Sequence, residues 1–346
     1  MESNNSENYQ IQNPRIAITI GDINGIGPEI IIKTLSDNRI LNHLTPVIFG
    51  SSKTLSYYQK TFNFHEFNYV QRHEGEEIVK KKVNVINCWS DAVNINVGQV
   101  TPEGGNCARL ALEASTKALK NNLVDAVVTA PVNKSNLYSE KFQFKGHTSY
   151  YASHFNDGEN LMMMVSDNLK VGLVTDHIPL KDVATTLTKE LIQSKLDVFE
   201  KSLRTDFGIG KPKIAVLGLN PHAGEDGILG DEENEIISPA IQEYKNKGML
   251  IFGPFPADGF FGNSDYKGYD GIMGMYHDQV LIPFKSLSFD TGVNYTAGIK
   301  IVRTSPDHGT ANSIAGKNVA SEQSFREALF LAQKIIRNRF EHRKIV

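Results

Sequence analysis

The chain has 346 residues, 40% of them hydrophobic, which is enough to bury a full core and, by length, to form about two domains. Its 36 basic and 39 acidic residues leave a formal net charge of -3, so it offers no basic field to a nucleic-acid backbone, and no local Lys/Arg cluster supplies one. The stretch MESNNSENYQIQN lacks the basic opening and apolar core of a signal peptide, and no run approaches the length of a membrane span; a soluble cytoplasmic protein without a nucleic-acid or membrane partner is expected. Residues 1 to 13 are polar and are expected to be disordered.

From there apolar strand-like runs alternate with helix-period segments: RIAITI, PEIIIKTL, TPVIFG, SKTLSYYQKTF, VNVIN, then a long helical stretch from Gly105 to Asn122. The alternation reads as βαβ units around a mainly parallel sheet. Further strands are expected at DAVVTAP, LMMMVSD, KVGLVTD, PKIAVLGL and GMLIFGPF, with a helix-like stretch from Lys181 to Leu203. The segment from Ser321 to Arg343 puts Phe325, Ala328, Leu329, Ala332, Ile335, Ile336 and Phe340 on one stripe, an amphipathic last helix. No repeat or low-complexity linker interrupts the chain, so two interleaved α/β domains are expected, residues 1–132 with 288–346 and residues 133–287. Cys88 and Cys107 have no metal or redox spacing; they read as packing residues, and no disulfide framework is expected.

His177 closes GLVTDH, His222 follows AVLGLNP and His277 follows GIMGMY, so each imidazole stands at or just after the end of a strand-like run. The carboxyl ends of parallel strands line the ligand crevice of an α/β fold, and three imidazoles with an open position make a catalytic metal set. A single histidine in such a place is more often a hydrogen-bonded wall residue; three in equivalent positions weigh against that.

The first strand runs into GDINGIGPEI, whose Gly21, Gly25 and Gly27 permit close backbone approach and whose Pro28 can begin a helix. A tight turn alone would use the same glycines. No GxGxxG or P-loop spacing occurs. In KGHTSYYASHF, preceded by TAPVNKSN, His147 and Thr148 beside Lys134 and Lys145 can hold a phosphate, although such residues are ordinary in solvated loops. LGLNPHAGEDGILGDEENEI surrounds His222 with acids able to orient it. GPFPADGFF carries Asp258, by default a capping residue and alternatively an acid/base group. The segment from Tyr269 to Lys317 holds His277, Lys285, Asn294 and Arg303, each near a strand-like run, and then the loop His308-Gly309-Thr310. A lysine with a lowered pKa moves protons and an arginine binds carboxylate or phosphate; a surface ion pair is the bland alternative for both.

GDINGIGPEI, TAPVNK, GHTSYYA, LNPHAGEDGILGDEE, GPFPAD, MYHDQVLIPFK, GVNYTAGIKIVRTSPDHGTA and IAGK, in that order from about Arg15 to the last helix, resemble the motif series of the 4-hydroxythreonine-4-phosphate dehydrogenase family of pyridoxal phosphate biosynthesis. The resemblance implies an isocitrate/isopropylmalate dehydrogenase-like fold with its active-site cleft between the domains, the second of which carries metal ligands and dimer contacts. It also implies a homodimer with active sites at the interface, NAD as oxidant, and one divalent metal per site, with Zn, Mg, Co and Mn all open. It assigns the metal to His177, His222 and His277, and substrate contacts to His147, Thr148, Lys285, Asn294 and Arg303. HGTANSIAGK is similar to the adenosine-binding loop of the wider isocitrate dehydrogenase group, which places NAD near His308, Gly309 and Thr310. The chain departs from the family in reading DIN where DPA is common, so Ile23 and Asn24 are expected to alter local rigidity only. Asp226 and Asp231 stand in a stretch that varies.

The activity so implied is NAD-dependent oxidation and decarboxylation of 4-phosphooxy-L-threonine to 3-amino-2-oxopropyl phosphate, with Lys285 as the proton-transfer residue, assisted by Asp258. The same enzyme class also takes 4-phospho-threonate or 4-phospho-erythronate. A metal-dependent phosphoester hydrolase would suit the missing dinucleotide fingerprint but would not need HGTANSIAGK, and a non-catalytic metabolite-binding regulator would not need the full set of catalytic residues.

Overall fold

A computed structural model describes residues 13–73 and 75–345. β1 (Arg15–Thr19) leads through the glycine turn into α1 (Gly27–Leu35), which starts on Pro28 and buries Ile30, Ile31, Ile32 and Leu35. β2 (Thr45–Gly50), α2 (Ser52–Phe62), β3 (Tyr69–Arg72) and β4 (Val83–Asn87) follow. After a stretch without regular structure comes α3 (Pro102–Lys120). Its start is fixed by Thr101, whose hydroxyl accepts from Gly104 N at 3.1 Å, and Glu103 at its first turn with Lys117 and Lys120 at its last match the helix dipole. β5 (Ala126–Thr129), the single turn α4 (Lys134–Leu137) and α5 (His147–Phe155) complete this half.

The chain then builds β6 (Asn156–Val165), β7 (Lys170–Leu173), α6 (Val183–Thr186), α7 (Lys189–Thr205), β8 (Lys213–Leu217), α8 (Ser238–Asn246), β9 (Leu250–Phe255), α9 (Ala257–Gly262), β10 (Gly271–Gly274), α10 (His277–Ser288) and β11 (Val293–Ile299). It ends with β12 (Val302–Pro306) and α11 (Gln323–Ile345).

Two compact units result, one of the described residues up to Asn156 with Lys300–Glu341, the other of Asp157–Ile299 with the described residues from His342. The chain therefore crosses after residues 156, 299 and 341, where crossings after 132 and 287 were expected. In the first unit six parallel strands lie in the order β3-β4-β2-β1-β5-β12. β1, β2 and β5 are buried throughout except at Arg15, as parallel strands covered on both faces must be. The stripe of α11 packs as its periodicity requires, with Phe325, Ala328, Leu329, Ala332 and Ile335 all fully buried. In the second unit the order is β11-β6-β7-β10-β8-β9, with β7, β10, β8 and β9 mutually parallel and β6 antiparallel to β7. Its core joins Val171, Leu173, Leu217 and Ile272 of the strands to Val280, Leu281 and Phe284 of α10.

Three local expectations change. VLIPF, read as strand-like beside Lys285, belongs to α10: Val280, Leu281 and Phe284 recur at helical spacing and are buried, and Pro283 is accommodated within the helix. The Lys181–Leu203 stretch is broken at Leu187, because Thr188 caps a new helix by accepting from Leu191 N at 3.1 Å. The disorder expected for residues 1 to 13 lies outside the described residues except at Asn13, which is buried, donates to Leu41 O at 3.0 Å and accepts from Thr45 Oγ1.

Candidate functional site

In the first unit β1 sits where the strand order reverses, with β2 on one side and β5 on the other, the position at which parallel α/β sheets bind ligands. The turn after β1 is fastened to two neighbouring loops: Asp22 N donates to Pro131 O at 2.9 Å, and Ile26 N donates to Thr310 O at 3.0 Å. Gly21 has φ +74°, and a Cβ there would stand 2.4 Å from Pro131 O, so only glycine fits. The turn thus brings GDINGIG, TAPVNK and the His308–Thr310 loop together at the carboxyl ends of β1, β5 and β12. His308 and Thr310 are half-buried and Gly309 is exposed, with His308 Nδ1 3.2 Å from Gly309 O.

Beside this crevice Arg303, on β12, is buried to 3% exposure. Its Nη2 donates to Thr129 Oγ1 at 2.8 Å and its Nη1 to Thr148 Oγ1 at 3.4 Å. Burial pulls the guanidinium pKa down to about 10, still charged at neutral pH. Thr148 and His147 form the first turn of α5, whose amino end favours an anion. α5 is held in place by Tyr151, which shares a 2.7 Å hydrogen bond with Ser115 of α3, and by Tyr150, stacked on Phe142 at 5.0 Å. His147 Nε2 is buried without a hydrogen-bond partner, although the residue as a whole is half-buried. Burial, with the Arg303 and Lys134 cations close by, lowers the imidazole pKa well below its ordinary value, so the ring is neutral. A buried cation, a hydroxyl, a neutral imidazole and a helix amino end stand side by side here, a set of groups whose chemistry could hold an anion.

In the second unit His177, His222 and His277 follow the ends of β7, β8 and β10, adjacent strands in the order β7-β10-β8. Thr175 ties the first two ends together, donating from N and Oγ1 to Met275 O at 3.1 and 2.7 Å. The rings of His177 and His277 lie 5.6 Å apart. Asp278 Oδ1 is 2.6 Å from His277 Nδ1, and Asp176 Oδ2 is 3.6 Å from His177 Nδ1. The His177 contact holds the Asp176 carboxyl down at about 2. Carboxylates on Nδ1 leave Nε2 of each ring as the donor atom, the usual arrangement around a metal. Asp176, His177, Tyr276, His277 and Asp278 line a cavity of about 310 Å³.

His222 does not join them: among the described residues no group of three or more His, Cys, Asp or Glu side chains could hold a metal ion. The reason is local. His222 is exposed and opens a left-handed turn in which His222, Ala223, Gly224, Glu225 and Asp226 all have positive φ, between 43° and 79°. The turn is anchored by buried Glu233, which accepts from Leu219 N at 2.7 Å and Asn220 N at 2.8 Å. Gln279 bridges the two histidine loops, accepting from Met275 N at 2.7 Å and donating to Gly218 O at 2.6 Å. Sequence reasoning named neither Glu233 nor Gln279; the acids after His222 were a signal for the first. Of the three histidines, the structure brings the rings of His177 and His277 together.

Lys285 and Asn294 are half-buried in the second unit, on α10 and β11. Asp258 is exposed in the first turn of the six-residue α9. Cys107 is buried and Cys88 partly so, and burial raises both thiols to about 12, which suits packing residues. A larger cavity of about 610 Å³ beside α3 is lined by Thr101, Arg109, Asn136 and Tyr138, and none of the expected site residues touches it. No described helix is long and apolar enough to cross a membrane.

The family model described as pyridoxal phosphate biosynthetic protein PdxA matches residues 42–332. This chain belongs to that family. Every expected site residue, from His147 to Thr310, lies within the matched span. Over 326 residues the chain is 49% identical to the 4-hydroxythreonine-4-phosphate dehydrogenase of Bacteroides thetaiotaomicron, covering 94% of this chain and 89% of the relative. It is 37% identical to a protein of Oceanobacillus iheyensis provisionally named a D-threonate 4-phosphate dehydrogenase, covering 92% and 97%. The crystal structure of 4-hydroxythreonine-4-phosphate dehydrogenase from Klebsiella pneumoniae superposes with a TM-score of 0.79 at 34% identity, covering 94% of this chain and 98% of that one. The family's α/β fold with a mainly parallel sheet is the fold found here.

Proposed function

We propose that the chain oxidises and decarboxylates 4-phosphooxy-L-threonine with NAD, giving 3-amino-2-oxopropyl phosphate, CO2 and NADH for pyridoxal phosphate biosynthesis. The observation that carries this reading is the socket of Arg303, Thr148 and His147, a built anion site in a chain 49% identical to a relative named for the activity. The substrate hydroxyl gives up its proton as its carbon gives up a hydride to NAD, and that carbon becomes a ketone. The carboxylate, now β to that ketone, leaves as CO2, and the amino-bearing carbon takes a proton in its place. Arg303 and Thr148 hold one anionic end of the substrate through charge-assisted hydrogen bonds, while neutral His147 offers Nε2 to the same group. Lys285 moves the proton, helped by Asp258, while Asn294 contacts the substrate. NAD, the hydride acceptor, is assigned to the loop of His308, Gly309 and Thr310, which the glycine turn supports.

A divalent cation supplies Lewis acidity when bound. We assign it to His177 and His277, whose rings lie 5.6 Å apart, with His222 as the third ligand. A homodimer would cover some of the large apolar side chains the second unit exposes, Leu180, Ile228, Leu229, Ile282, Leu287 and Phe289.

The test is to supply metal-replete protein with NAD and 4-phosphooxy-L-threonine, with 4-phospho-D-threonate in parallel, and to follow NADH absorbance. Turnover of the amino acid supports the proposal. Preference for the threonate moves the chain to the activity for which the Oceanobacillus relative is named, and no reduction of NAD with either acid overturns the dehydrogenase reading.

A further inference from the structure

The segment between β4 and α3 contains no strand or helix, yet its second half is fixed from two sides. On one side stands Asn24, fully buried in the turn after β1. Its Oδ1 accepts from Asn96 N at 2.7 Å, its carbonyl from Gly98 N at 2.8 Å, and its Nδ2 donates to Thr101 Oγ1 at 2.9 Å. Asp22 holds Asn24 in turn, accepting from its N at 2.9 Å. On the other side lies the loop that continues from His308–Thr310. A Cβ on Gly98, whose φ is +79°, would stand 3.0 Å from Asn312 O, and one on Gly316, also at +79°, would stand 2.6 Å from Val97 Cγ1. Residues 96–98 are therefore a strap pressed between Asn24 and the 310–316 loop. The same loop has a second, direct tie to the turn at Thr310, through Ile26 N.

We infer that Asn24 is a positioning residue for the dinucleotide site: through the 96–98 strap it holds the 310–316 loop against the turn after β1. The inference rests on the reading that this loop takes NAD. Loss of the Asn24 side chain removes the bonds to Asn96 and Thr101 and leaves the strap held at this end only by Gly98 N on the Asn24 carbonyl, which loosens its grip on the loop. Beyond Thr310 the loop is then tied mainly by Lys33 to Asn318 O. The Arg303 socket, whose partners Thr129 and Thr148 lie outside this network, keeps its geometry. The effect therefore falls on dinucleotide affinity and not on the substrate or the chemical step.

The test compares Asn24→Ala with the wild type in three readouts: steady-state constants, NADH affinity by fluorescence titration without substrate, and tryptic cleavage after Lys317, which is exposed just beyond Gly316. The expected result is roughly a tenfold rise in KM for NAD and in the NADH dissociation constant, the equivalent of one modest interaction. kcat and KM for the acid should stay within about twofold, and cleavage after Lys317 should accelerate. Gly98→Ala attacks the strap from its other face, should give the same split, and carries the test if Asn24→Ala does not fold. A folded variant with unchanged NADH affinity, or a kcat that falls in step with it, overturns the proposal. His308→Ala separates the two levels: if it too leaves NADH affinity unchanged, the placement of NAD fails; if it weakens binding while folded Asn24→Ala does not, the strap alone fails.

Discussion

Arg303 Nη2 donates to Thr129 Oγ1 at 2.8 Å, joining β12 to the last residue of its parallel neighbour β5. The bond spends one face of the guanidinium on the scaffold and points Nη1 toward Thr148 at the amino end of α5. A charged group buried in this way is aimed before any ligand arrives.

Replacing it should therefore affect binding more than folding. Arg303→Lys keeps the charge but not the planar fork, and should raise KM for the phosphorylated acid by about 10- to 100-fold, the cost of roughly one or two charge-assisted hydrogen bonds. Arg303→Met, which fills the space without charge, should raise it by more than about 100-fold while leaving thermal stability equal or higher, since a buried charge is removed. An Arg303→Met enzyme with wild-type KM would remove Arg303 from the substrate site.

His147 makes stability depend on pH. Burial and the nearby cations depress its folded pKa, so the folded protein keeps the ring neutral while the unfolded chain takes up a proton as pH falls through its ordinary value of 6.5. The unfolded state then binds more protons, and stability falls with pH below that point by up to about 1.4 kcal/mol per unit. His147→Gln cannot titrate. Urea unfolding at pH 7.5 and 5.5 should show the wild type losing more stability than the variant, and equal losses would show that His147 titrates freely.

Three histidines at strand ends were legible because each follows a short apolar run, and β7, β10 and β8 are adjacent. What could not be read is the turn at His222: five successive residues at positive φ, Ala223 and Glu225 among them, run against local preference, and the turn is anchored by Glu233, eleven residues beyond His222. The helical identity of Val280 to Phe284 was hidden for another reason: a five-residue apolar run containing Pro283 is too short for its helical spacing to stand out, and the packing of Leu281 and Phe284 decides. The packing role of Asn24 was not legible, because its partners Asn96 and Thr101 lie more than seventy residues away.

Glu233 offers a test of that turn. Its carboxylate accepts two backbone N–H bonds and a third from Asn220 Nδ2 at 2.9 Å, in a buried position. Glu233→Gln halves the acceptor capacity and introduces donors facing donors, so it should destabilise folding by about 2 kcal/mol. It should also weaken divalent-cation binding by about 10-fold or more, as loss of an outer partner does. Calorimetric titration of chelator-treated protein with Zn(II) measures the second effect, and unchanged affinity in a destabilised variant would confine Glu233 to folding.

Lys285 separates chemistry from architecture. It lies in the last turn of α10, half-buried, on a helix whose inner face is formed by Val280, Leu281 and Phe284 rather than by the lysine. Alanine there gains helix propensity and gives up a favourable charge near the helix carboxyl end, two effects of a few tenths of a kcal/mol with opposite sign. Folding stability, read by urea unfolding, should thus change far less than turnover. Removing a proton-transfer group should instead lower kcat by about 10²- to 10⁴-fold with KM for the acid changed far less. A Lys285→Ala enzyme of normal stability that keeps its kcat would take proton transfer away from Lys285 and leave Asp258 as the group to test next.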